Sequence, residues 1–233
     1  MIPQIFISRK NKNKKTQSFL IFFIIALILY ATINQNSNRR ALFPNFISEA
    51  KAQEIDLNKK IQMEKIGAIK KVAKGFFTHM RFSDTPYDMN QFSFKDIEGK
   101  DHKLSEFIGK PILVNLWAIW CAPCRAEMPE LAQLKRDMGG NNFDVIAINI
   151  DKNTSSEKIQ KFLSNAHADN LVYYRDSTMN IFQNIRKKGL ALGLPITFLI
   201  SKNGYLIASF NGAAPWANDD AKALIKAVIE ENL

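Results

Sequence analysis

The chain has 233 residues, 46% of them apolar, which allows one or two domains with a real core and excludes a disordered or fibrous class. Its formal charge of +10 is concentrated at the start: residues 1–33 carry five basic and no acidic side chains, residues 34–75 nine basic against four acidic, and the remainder 18 of each. A neutral folded region carries no electrostatic footprint for nucleic acid, so that class of partner is excluded.

From Thr16 to Asn38 no residue is charged, and the apolar stretch Phe19 to Ile33 directly follows Arg9, Lys10, Lys12, Lys14 and Lys15. Basic residues stay on the cytoplasmic side, so this order predicts export of everything after residue 38. The 15-residue stretch falls short of the ~20 residues that span a bilayer, and the uncharged flanks extend it. No small-x-small cleavage site follows at once, which favours an uncleaved anchor over a removed signal peptide. The organisation expected is a basic cytoplasmic tail over 1–18, a single-pass signal anchor over 19–36 and a basic, partly helical linker over 37–75. In that linker Ile61, Lys65, Ala68 and Val72 form no wide apolar face.

Beyond residue 76 short strand-like runs alternate with helix-period stretches, the pattern of an α/β layered fold. Ile112 to Trp117 and Phe143 to Ile150 read as buried strands joined by a helix from about Cys121 to Met138. That is a βαβ unit, whose right-handed crossover places both strands in one sheet. Glu157 to Leu163 and Thr178 to Ile185 read as helices, with Leu171 to Tyr174 as a short strand between them. Ile196 to Ile200 and Tyr205 to Phe210 read as an antiparallel pair, turned at Asn203-Gly204 through positive φ. Ala221, Leu224, Ile225, Val228 and Ile229 recur at helical spacing after the candidate caps Asn218 and Asp219.

Only two cysteines occur, Cys121 and Cys124, so they can pair only with each other or with a partner. Structural zinc needs four ligands, and His79, His102 and His167 supply no second ligand pair at finger-like spacing. No metal or other cofactor is expected. The cysteines fall where a buried strand gives way to a helix. With Cys121 at the N-cap, its sulfur faces free N–H groups and the positive end of the helix dipole, both of which favour a thiolate. Cys124 lies on the same face of the first turn, within disulfide reach. Pro123 fits that turn without losing an intrahelical bond, whereas Pro129 removes one and should kink the helix. The mechanism this implies is attack by Cys121 on a partner disulfide, a mixed disulfide, and resolution by Cys124.

These residues resemble the membrane-anchored thioredoxin-like proteins of the TlpA and ResA type, with an arrangement most like TlpA. The likeness covers about 70–233 through VNLWAIWCAPCRAEMPEL (114–131), GLPITFLISKNGYLI (193–207) and GAAPW (212–216). It implies a thioredoxin-like fold, a central mixed sheet flanked by helices. It also implies a periplasm-facing oxidoreductase anchored in a bacterial inner membrane, which reduces partner proteins during cytochrome c or cytochrome oxidase assembly. Its partners would be disulfide-bearing periplasmic proteins and an upstream membrane thiol donor, met by a monomer.

By the same resemblance Pro195 matches the family's cis-proline, which faces the disulfide and with Leu194 offers backbone to an extended substrate. Trp120, Ala122 and Pro123 would complete the docking surface. Cytosolic thioredoxins place a buried Asp where this chain has Asn115, which cannot accept a proton. The likeness to ResA instead assigns the proton-transfer carboxylate to Glu127. Two other readings stay open: a thiol peroxidase of peroxiredoxin type, which CxxC spacing disfavours, and a copper-delivery module of Sco type, which uses CxxxC with a distal histidine.

Overall fold

A computed structural model describes residues 43–233, with side chains from 49 onward. The expected tail and anchor over 1–36 lie outside the described residues. Among the described residues no helix is long and apolar enough to cross a membrane. The chain divides into two compact units at Asp56 and Leu57. Of the first, only the opening of helix α1 (Phe43–Val72) is described; the second holds the sheet and the candidate site.

The second unit is built on one eight-stranded mixed sheet. In chain order its strands are β1 (Arg81–Phe82), β2 (Ser93–Lys95), β3 (Asp101–Lys103), β4 (Ile112–Trp117), β5 (Asp144–Asn149), β6 (Tyr174–Arg175), β7 (Ile196–Ile200) and β8 (Leu206–Asn211). Their spatial order is β1-β8-β7-β4-β5-β6-β2-β3. β4, β5 and β6 run parallel, while β7 runs antiparallel to β4 and β8 to β7. All six residues of β4 are buried, as a strand covered on both faces requires. The crossover from β4 to β5 is α2 (Ala122–Met138); α3 (Ser156–Asn165), α4 (Asn180–Lys187) and α5 (Asp219–Glu230) complete the set.

Side-chain chemistry explains the helix starts. Ser155 accepts from the Lys158 N–H to open α3, and Asn218 accepts from the Ala221 N–H to open α5. On α5 the residues Ala221, Leu224, Ile225 and Val228 are buried, as their spacing predicts. Between β7 and β8 only Gly204 takes positive φ, at +83°, so the Asn203-Gly204 expectation holds at one of its two positions. The run Leu171 to Tyr174 is not a strand as a whole; pairing is confined to Tyr174 and Arg175, and Val172 is exposed. α2 runs unbroken through Pro129.

The linker expectation needs correction at its C-terminal part. α1 is continuous to Val72, and Ile66 and Ile69 are buried in the core with Met63 and Ala73 packed beside them. Spacings of three, three and four residues give these positions one narrow stripe, which suffices to dock a helix. The Lys65 ammonium also donates to the Glu231 carbonyl at 2.5 Å. The folded unit therefore begins at Leu57 rather than at residue 76.

Candidate active site

β4 delivers the chain to its end at Trp117, which is fully buried, and α2 begins five residues later. Cys121 is the N-cap of α2: its φ of −85° and ψ of 103° are extended, and its carbonyl accepts the first helical bond from Arg125 N–H at 3.1 Å. The Cys121 sulfur accepts from the Cys124 N–H at 3.2 Å, taking up one of the helix's free donors. Ala122 and Pro123 occupy the first turn, where a proline forfeits no bond. Cys121 and Cys124 are joined in a disulfide with their Cα atoms 5.2 Å apart.

The two sulfurs are not equivalent. Cys124 is fully buried, whereas Cys121 keeps 6% of its surface among the exposed residues Trp120, Ala122 and Pro123. Of the two, Cys121 alone retains contact with solvent. Trp120 is 64% exposed, an unusual position for an indole.

The Leu194–Pro195 peptide bond is cis. Ile196 pairs with Leu116, so Pro195 stands at the end of the sheet where β4 exits toward Cys121. The Pro195 carbonyl accepts from Gly212 N–H at 2.9 Å, which ties it to the GAAPW segment.

Beneath the disulfide lies a polar network in the core. Glu127, one turn beyond Cys124 on the same face of α2, is buried. Its Oε1 accepts from Asn115 Nδ2 at 2.7 Å; its Oε2 accepts from Trp216 Nε1 at 3.1 Å and from Ala214 N–H at 3.3 Å. Asn115 Nδ2 also donates to Thr197 Oγ1 at 2.9 Å. Burial pushes the Glu127 carboxyl up to about 7, against the opposing pull of its three donors. A carboxyl poised there can hold or release a proton near neutral pH, one helical turn from Cys124. Trp216 is itself fixed by Phe77 and Phe210, with ring centroids 5.1 and 5.9 Å away.

The sequence singled out Asn115 for what it lacks; the fold gives it a role as donor to Glu127. Thr197 and Trp216 complete that role from β7 and from the GAAPW loop. Sequence reasoning missed Asp151 and Arg125, which grip the segment before Cys121. The one available signal was Asn149 and Asp151, two polar residues at the end of an apolar strand. Of the histidines, His102 has Glu106 Oε2 2.7 Å from Nδ1 and Asp96 Oδ2 3.0 Å from Nε2, so both ring nitrogens are engaged.

Fold and site together define a thioredoxin-like thiol:disulfide oxidoreductase of the TlpA and ResA type, whose redox group is its own cysteine pair. The model of the Redoxin family matches residues 86–225, and the chain belongs to that family. It is 34% identical over 120 residues to the thioredoxin-like protein YneN of Bacillus subtilis, an alignment covering 49% of this chain and 64% of that relative, less than two thirds of its length. It is 29% identical over 135 residues to the thiol-disulfide oxidoreductase ResA of Geobacillus thermodenitrificans, covering 55% of this chain and 70% of ResA. Among solved structures, a putative thiol:disulfide interchange protein DsbE from Chlorobium tepidum superposes with a TM-score of 0.52 at 27% identity, covering 63% of this chain and 98% of that one.

Proposed function

We propose that this chain reduces disulfides in partner proteins on the outer side of a bacterial inner membrane, to which residues 19–36 anchor it by a single pass. The observation that carries the reading is the asymmetry of the site: Cys121 at the helix N-cap with residual exposure, Cys124 fully buried behind it. The reduced Cys121 thiolate attacks a partner disulfide, releasing one partner sulfur as thiolate and forming a mixed disulfide. Cys124, losing its proton, attacks Cys121 and expels the second partner thiol. The partner gains two electrons and the chain ends with the Cys121–Cys124 bond. An upstream membrane thiol donor then restores the dithiol.

Several observations support the finer assignments. The basic cluster before an uncharged apolar run supports export and anchoring. The exposed Trp120, the first turn at Ala122 and Pro123, and the Leu194–Pro195 backbone at the end of the sheet where β4 exits toward Cys121 support docking of an extended partner segment. The raised Glu127 carboxyl supports a role in accepting the Cys124 proton. The TlpA and ResA resemblance supports apocytochrome c or a cytochrome oxidase subunit as the substrate class.

The test is catalysed reduction of a protein disulfide by the dithiol form, followed by trapping. Cys121→Ser is expected to abolish turnover, and Cys124→Ser to accumulate a mixed disulfide through Cys121. In cells, loss of the chain is expected to remove c-type haem staining or oxidase activity, with recovery on added dithiothreitol. Turnover retained by Cys121→Ser overturns the reading. Unchanged cytochromes overturn the substrate class alone.

A further inference from the structure

The segment between β4 and Cys121 is gripped from both sides at one residue. Asp151 Oδ2 accepts from the Ile119 N–H at 2.8 Å, and Arg125 Nη1 donates to the Ile119 carbonyl at 3.0 Å. Asp151 comes from the residues just after β5, and Arg125 from the second turn of α2. The next residue is Trp120, its indole largely exposed, and the one after it is Cys121.

Asp151 is an expensive way to hold one amide. Its residue surface is 1% exposed, and among the described residues no cationic nitrogen lies within ion-pair distance of its carboxylate. The same Oδ2 accepts from Asn149 Nδ2 at 2.7 Å, and the Asp151 N–H donates to Asn149 Oδ1 at 3.0 Å. The Arg175 guanidinium binds the Asp151 carbonyl, at 3.0 Å from Nε and 2.7 Å from Nη2. The backbone of Asp151 is thus locked while its carboxylate points at the active-site loop. Burying a polar side chain is costly unless its oxygens find donors, and here they find two N–H groups, one of them in the segment that presents Trp120. A carboxylate acceptor gives a shorter and stronger bond than a neutral one, which suits a loop that must not yield when a partner chain presses on it.

We propose that Asp151, with Arg125 opposite it, is a positioning residue that sets the attitude of Trp120 and so governs how a partner polypeptide is docked onto Cys121. The inference rests on the oxidoreductase reading above and adds the residue that shapes its protein-substrate specificity.

The test compares a protein disulfide, insulin, with a small one, 5,5′-dithiobis(2-nitrobenzoate), both offered to the full dithiol chain. Asp151→Ala is expected to raise KM for insulin about tenfold, the size set by losing a charge-assisted buried hydrogen bond, while the rate with the small disulfide stays within about twofold. Asp151→Asn retains one carbonyl oxygen for the Ile119 N–H and is expected to recover about half of that loss on a logarithmic scale. Amide hydrogen exchange at Ile119 should be slow in the parent and in Asp151→Asn, and fast in Asp151→Ala. Trp120→Ala should raise KM for insulin by itself, and adding Asp151→Ala should bring no further loss. If Asp151→Ala gives no cooperative melt, Arg125→Ala at an exposed position carries the same cycle with Trp120→Ala. Additive effects of the two substitutions, equal slowing with both disulfides, or an unchanged KM would overturn the proposal. A parent chain that exchanges with neither disulfide would instead overturn the oxidoreductase reading.

Discussion

Removing the carboxyl of Glu127 should change how stability depends on pH, with a sign opposite to that of most carboxylates. Burial raises this group from its usual 4.5 to about 7 in the folded chain, so between those values the folded state binds a proton that the unfolded state has released. Stability from this group is fully present below pH 4.5 and is lost as pH climbs through 7. Each tenfold change in proton affinity is worth about 1.4 kcal/mol, so the loss between pH 5 and pH 8 comes to about 2.5 kcal/mol. Glu127→Gln cannot ionise and should not show it, although its single carbonyl oxygen cannot satisfy Asn115, Trp216 and Ala214 together, so its stability should be lower at acid pH. The assay is urea denaturation of the oxidised chain, in which neither cysteine titrates, at intervals across that range. Taking the difference between parent and variant removes every other titrating group. The parent's excess stability should shrink, or invert, by about 2.5 kcal/mol on going to pH 8. A pH-independent difference, or one that grows with pH, would refute a buried carboxyl of raised pKa.

Three further outcomes follow from other parts of the structure. Ile69→Ala should cost about 2 to 5 kcal/mol in the same denaturation, because Ile69 is fully buried; a loss near zero would return this turn of α1 to the solvated linker. Trp216→Phe removes one of three donors to Glu127 and should push its carboxyl higher still, so that the variant loses more stability at pH 8 than at pH 5; equal losses at both would show that the indole N–H is not felt by the carboxyl. The His102 imidazolium is held above its ordinary pKa first by its hydrogen bond to Asp96 and then by that to Glu106. Stability from this group is present below its ordinary pKa and fades as pH rises through the raised value, so an NMR titration of the ring should report a pKa above 6.5.

The βαβ core and the cysteine pair could be read from the chain because each rests on a local signal. Ile112 to Trp117 is a continuous apolar run of strand length, and Cys121 to Cys124 sits where that period gives way to a helical one. β2 and β3 carried no such signal. Ser93-Phe94-Lys95 buries only its central residue, and β6 is two residues long, so tertiary pairing rather than intrinsic preference makes them strands. The docking stripe of α1 was concealed among lysines, since one helix face needs only Met63, Ile66 and Ile69. Glu127 could be named as a proton-transfer candidate, but its partners come from β4 and the GAAPW loop, with Thr197 of β7 bonded to Asn115, and no local pattern brings Asn115, Thr197 and Trp216 together. Asp151 stayed out of sight for the same reason: its partner Ile119 lies 32 residues away.

The chemistry assigned to the chain depends on Cys121 alone offering a thiolate to the outside. The direct measurement is alkylation of the reduced, folded chain with iodoacetamide across pH, with each cysteine followed by peptide mass spectrometry. Cys121 should be labelled first, with an apparent pKa below the ~8.5 of a free cysteine, while Cys124 stays unlabelled until the chain is unfolded. Equal labelling of both sulfurs, or faster labelling of Cys124, would contradict the assignment.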